Sequence, residues 1–85
     1  WTPAATAVEE VAIDEKASLY PNPAKDYIIF TAESFDQIQI YGYDGQLVLT
    51  STSSLVAISS LRSGLYIARA VAHNRIIYKG EFLKL

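Results

Sequence analysis

From Ala17 to the end of the chain, turn residues recur about every 8–12 positions, and the runs between them are rich in Val, Ile, Tyr, Phe and Thr. That spacing is too tight for helices of ordinary length and fits short strands packed as a sandwich or barrel. Strands are expected at about 17–20, 26–32, 36–43, 46–51, 54–58, 65–72 and 75–84. Tyr43-Asp44-Gly45-Gln46 predicts a type I′ hairpin with positive φ at both central residues. His73-Asn74 predicts a second two-residue connection, because Asn accepts the left-handed region readily.

Alternation assigns the faces. Ile38 and Ile40 point one way, with Gln37, Gln39 and Tyr41 opposite; Val56, Ile58 and then Leu61 continue the inward set. Tyr66, Ala68 and Ala70 share one face, with Leu65, Ile67, Arg69 and Val71 on the other. In the last strand Ile76, Tyr78, Gly80 and Phe82 oppose Ile77, Lys79, Glu81 and Leu83. Both final strands are thus apolar on two faces, a surplus that calls for a second covering surface or a partner.

Leu19-Tyr20-Pro21-Asn22-Pro23 interrupts the first pairing. Each proline fixes its own φ, Pro23 pushes Asn22 toward extended geometry, and neither proline donates to a ladder. The segment reads as a strand-to-strand corner. Later, Gly64 supplies a tight way into a strand. Tyr66 then sits where immunoglobulin-like sandwiches place a tyrosine whose hydroxyl bonds back to the preceding loop; simple core packing of its ring is the alternative. Either reading supports an all-β, immunoglobulin-like antiparallel β-sandwich of about seven strands.

With 85 residues the chain makes one domain. It has no cysteine, so neither disulfide nor thiolate chemistry is open to it. It also lacks methionine and starts at Trp1, which predicts a processed piece or one domain of a longer protein. Residues 1–16 read as an acidic linker to an upstream cargo domain, with Val8, Val11 and Ala12 marking at most one helical turn. Charge is polarised along the chain. Glu9, Glu10, Asp14 and Glu15 lead without a base, whereas Arg62, Arg69, Arg75, Lys79 and Lys84 face only Glu81 near the end. The net charge of −2 with so few clustered bases argues against nucleic acid as a partner.

A catalytic centre is hard to assemble. His73 is the only histidine and falls in a turn, and the serines at 51, 53, 54, 59, 60 and 63 gather where hydroxyls cap and turn the backbone. Zinc lacks ligands, the positions of Glu33, Asp36 and Asp44 do not match an EF-hand, and the four glycines are too scattered for a phosphate loop. The expectation is a non-enzyme without cofactor or metal.

Four blocks in order carry a resemblance: Leu19-Tyr20-Pro21-Asn22-Pro23-Ala24-Lys25-Asp26; Ile38 to Tyr41 with Asp44-Gly45-Gln46-Leu47-Val48; Ile58 to Arg69; and Lys79-Gly80-Glu81-Phe82-Leu83-Lys84. Together they resemble the C-terminal sorting domain of the type IX (Por) secretion system of Bacteroidetes, over about residues 17–85. The resemblance implies an export label that takes an attached cargo through the periplasm to an outer-membrane translocon and its shuttle proteins. A sortase-like peptidase then removes the label at the linker and joins the cargo to anionic lipopolysaccharide at the cell surface. It also implies recognition elements at Pro21, Asn22 and Pro23, at Gly64 and Tyr66, and at Lys79, Gly80, Phe82, Leu83, Lys84 and Leu85. The apolar final strand predicts self-association through its edge. Two alternatives stay open. One is an immunoglobulin-like accessory binding or adhesion module, using Tyr41 and Tyr43 as an aromatic platform. The other is a sorting domain retained by a component of the secretion machinery.

Overall fold

The computed structural model describes residues 10–11, 16–32 and 34–85. Val8, Ala12, Glu33 and most of the 1–16 linker therefore lie outside the described residues. The described residues form strands β1 (Glu10–Val11), β2 (Ser18–Tyr20), β3 (Tyr27–Thr31), β4 (Gln37–Gly42), β5 (Leu47–Ser51), β6 (Leu55–Ala57), β7 (Gly64–Ala72) and β8 (Arg75–Lys84). There is no helix among them. Strands β2 to β8 match the seven expected from turn spacing to within about two residues. The addition is β1, two residues long and too short to show any period. It pairs in parallel with the start of β8, Glu10 beside Arg75 and Val11 beside Ile76.

Seven strands make two antiparallel sheets packed face to face. The larger runs β8-β7-β4-β5, with β1 added at the β8 side, and the smaller runs β2-β3-β6. The chain crosses between sheets from β3 to β4, from β5 to β6 and from β6 to β7. Alternation fills the interior from both sides. Ile28, Phe30 and Val56 come from the small sheet; Ile38, Ile40, Tyr66, Ala68, Ala70 and Phe82 come from the large one. Ala68 and Ala70 of the large sheet are small where Phe30 of the small sheet is large, the kind of complementarity that lets opposing layers reach native density. Phe30 meets Phe35 and Tyr78 edge-on at centroid distances of 5.3 and 5.4 Å.

The two hairpins reverse their expected strength. At His73 and Asn74 φ is 53° and 61°, so this turn has the type I′ signature. At the Asp-Gly turn only Gly45 has positive φ, 92°, whereas the type I′ form requires it at Asp44 too. Instead the Gly45 N–H donates to the Gly42 carbonyl at 2.9 Å, and Gly42 N–H donates to Gln46 at 2.8 Å. This is a three-residue loop with glycine at its left-handed position. The Asp44 carboxylate explains the choice: it accepts from the Gln46 N–H at 3.1 Å, a local bond that holds the longer loop.

Candidate functional site

The β7–β8 hairpin holds most of the residues singled out in the sequence. Its register sets Gly64 opposite Lys84, Tyr66 opposite Phe82, Ala68 opposite Gly80 and Arg69 opposite Lys79. Pro21, Asn22 and Pro23 come from the far end of the sequence, and the fold lays them beside the last residues of β8.

The join is made of hydrogen bonds. The Asn22 side-chain oxygen accepts from the Leu83 N–H at 3.0 Å, and its amide donates to the Glu81 carbonyl at 3.3 Å. One residue past the corner, Ala24 N–H donates to the Leu83 carbonyl and its own carbonyl accepts from Leu85 N–H, both at 2.8 Å. Ala24 thereby forms a parallel bridge with Lys84. Both X-Pro bonds of the corner, Tyr20-Pro21 and Asn22-Pro23, are cis. The prolines end β2, and the asparagine between them then serves as a one-residue strand edge. Its side-chain amide carries the same donor and acceptor as a peptide group, which is why it can cap a ladder.

Several motif residues are held in the interior by this arrangement. Tyr66 stacks on Phe82 at 5.7 Å and 21°, and its hydroxyl donates to the Arg62 carbonyl at 2.7 Å. The backward bond expected of a corner tyrosine is present together with core packing, so the two readings hold at once. Gly64 sits at φ 148°, which side-chain-bearing residues rarely adopt, although a Cβ there would meet nothing within 4 Å. At Gly80 space is the constraint: a Cβ would lie 2.5 Å from the Tyr78 hydroxyl, because the Tyr78 ring folds over the glycine. Burial pushes the Tyr78 phenol pKa above its ordinary value. Phe82 is fully buried, and Lys84 is buried with its ammonium donating to the Leu85 backbone oxygen at 2.7 Å.

What remains at the surface is the corner itself, Lys79, Glu81, Leu83 and Leu85. Leu83 and Leu85 are 38% and 57% exposed, and Leu65, across from Leu83, is 45% exposed. These exposed apolar side chains lie on the strand end that the proline corner joins. Sequence reasoning passed over Ala24, whose small side chain advertises nothing, and the Tyr41–Arg69 pair, whose partners lie 28 residues apart. His73 is engaged through its backbone, its N–H donating to the Asp36 carboxylate at 2.8 Å. Among the described residues, no three His, Cys, Asp or Glu side chains gather as a metal site.

Residues 18–80 match the model of the family described as the secretion system C-terminal sorting domain. No curated protein and no solved structure matches the chain. The match spans the proline corner, strands β2 to β7 and β8 as far as Gly80, and it covers well over half of the chain. The chain belongs to the type IX secretion C-terminal sorting domains, whose role is that of a sorting signal for export toward the outer membrane or cell surface.

Proposed function

We propose that this sorting signal is read from one composite surface, made by the Pro21–Asn22–Pro23 corner and the exposed side chains of the last strand, Lys79, Leu83 and Leu85. The observation that carries the reading is the pair of hydrogen bonds from the Asn22 side chain to Leu83 and Glu81. They unite the first and last motif blocks into a single patch. Gly64, Tyr66, Gly80, Phe82 and Lys84 act beneath that patch, by fixing the backbone that displays it. An outer-membrane translocon and its shuttle proteins are the partners of this surface. The attached cargo passes through the periplasm, and a sortase-like peptidase cuts within residues 1–16. The reaction chemistry belongs to that peptidase, and the domain itself works by contact alone.

Export of a reporter tests the reading. Residues 1–85 fused to a periplasmic reporter direct it to the surface of a type IX-competent host. Removing residues 80–85 would also remove Phe82 from the core, so truncation confounds recognition with folding. Leu83→Glu and Leu85→Glu change exposed side chains only. Both are expected to leave the reporter in the periplasm while the isolated domain keeps its melting temperature. Surface display of the double variant at the parent's level would overturn the reading. Mass spectrometry of the displayed reporter locates the cut.

A further inference from the structure

On the outer face of the small sheet, one row of side chains runs Tyr20, Ile29, Leu55 across β2, β3 and β6, and the next row sets Tyr27 beside Ala57. The residues alternating with them, Leu19, Ile28, Phe30 and Val56, pack in the core, so these rows face outward. Tyr20, Tyr27 and Leu55 are each about half exposed, and Ile29 between them is half-buried.

A sheet face turned to solvent ordinarily carries polar residues. The large sheet keeps that rule, with Gln39, Arg69, Lys79 and Glu81 on its outer face. The small sheet breaks it. Among the described residues its outer face has no charged side chain, and its polar row, Ser18 beside Thr31, is a hydroxyl pair bonded to itself at 2.7 Å. No charged residue occurs between Asp44 and Arg62 either, the stretch that contributes Leu55 and Ala57. An apolar face of this kind marks a contact surface.

We infer that this face docks a second copy of the chain, sheet against sheet. Charge, layout and size choose that occupant. A neutral face offers a charged partner nothing to pair with, and it meets no like charge when laid on itself. Its layout is self-complementary, because Ile29 lies on the middle strand of the sheet. A two-fold axis along β3 brings Ile29 against its own copy and sets Tyr20 against the partner's Leu55 on both sides. Size limits the strength: with β3 five residues long in a sheet three strands wide, the patch falls well short of the roughly 800 Å² per partner of a standard interface. The pair is therefore weak and depends on concentration. It joins faces through side chains and so differs from pairing along the β8 edge. The inference also stands apart from the sorting reading, because Leu83 and Leu85 lie on the other sheet or beyond it and export plays no part in the test.

Sedimentation equilibrium of the chain over a concentration series reads the association directly. The mean mass is expected to climb from monomer toward dimer as concentration rises. Leu55→Lys and Tyr20→Glu are each expected to weaken the pair about tenfold, by setting a charge against an apolar side chain. The chain carrying both is expected to recover the parent's affinity, because the two new charges then face each other across the axis. Both side chains are exposed, so the substitutions leave the core intact, and melting temperatures check this. In the parent, concentration-dependent NMR shifts are expected at the Ile29 methyls and absent at Ile67, on the outer face of the large sheet. A monomer at every concentration gives the face to a partner of another kind and overturns the inference. Undiminished association in either single variant, a folded double variant no tighter than the singles, or shifts confined to β8 overturns it as well.

Discussion

At the scale of single residues, Tyr66 contributes in two separable ways, by a ring stacked on Phe82 and by a hydroxyl bonded to the Arg62 carbonyl. Tyr66→Phe keeps the ring and removes the bond. A fall of about 1 kcal/mol in unfolding free energy is expected, because the Arg62 carbonyl loses a part-buried donor. Urea denaturation reads this directly, and an unchanged midpoint would mean that water replaces the hydroxyl without loss. This residue was legible in the sequence because a glycine two positions earlier and a loop before that announce the start of a strand. Asn22 was legible only in part. Its neighbours fix the local backbone, yet nothing in a linear sequence says that its amide will meet Leu83, 61 positions away. Gly80 shows the same limit. The resemblance marked it as a recognition element, but nothing in the linear sequence says that the Tyr78 ring folds back over it.

At the scale of the element, strand existence followed from periodicity, while turn type and edge coverage did not. Asp-Gly carries the stronger hairpin propensity, but the Asp44 carboxylate bonds the Gln46 N–H and draws the connection into a longer loop. At His73-Asn74 nothing local competes; the Asp36 carboxylate, arriving from the β3–β4 connection, accepts from the His73 N–H and steadies the two-residue form. The edge of β8 follows the same logic. Its alternation holds from Tyr78 to Lys84, but a register shift beside Ala70 and Val71 sets Ile76 opposite Val71. The shift separates Ile76 from its expected grouping with Tyr78, Gly80 and Phe82. Along its edge the strand is paired by β1 at its start and by Ala24, after the proline corner, at its end. Strand β8 also carries a pH signature. Burial raises the Tyr78 pKa, so the folded chain holds the phenol proton more tightly than the unfolded chain does. The stability this contributes is whole below the ordinary phenol value of 10.0 and is lost as pH rises through the higher folded value. Melting temperatures measured from pH 9 upward (roughly the range where phenols titrate) are expected to fall less steeply in Tyr78→Phe than in the parent. Parallel curves would show that the phenol stays solvated.

At the scale of the whole molecule, the two sheets leave the large one with two outer strands, and the chain treats them differently. Strand β5 ends the sheet with a register irregularity beside Ile40 and Tyr41, a device that twists an edge away from further pairing. Strand β8 is covered by the chain itself, by β1 at its start and by Asn22 and Ala24 at its end. A covered edge is protected from other chains for only as long as its cover holds. Self-association through the last strand, expected from its apolar faces, therefore requires the corner to lift first. Asn22→Ala removes the side-chain cap and leaves the Ala24 bonds. The lost bonds are worth about 1 kcal/mol, so the Leu83 amide is expected to exchange with solvent about fivefold faster. Light scattering at matched concentration is expected to show a larger dimer fraction than in the parent, because the Leu83 N–H and Glu81 carbonyl are then open to a second strand. Unchanged exchange would mean that the Ala24 bonds hold the edge alone. Faster exchange without any rise in mass would show that the edge opens without pairing, and would end the case for association through β8.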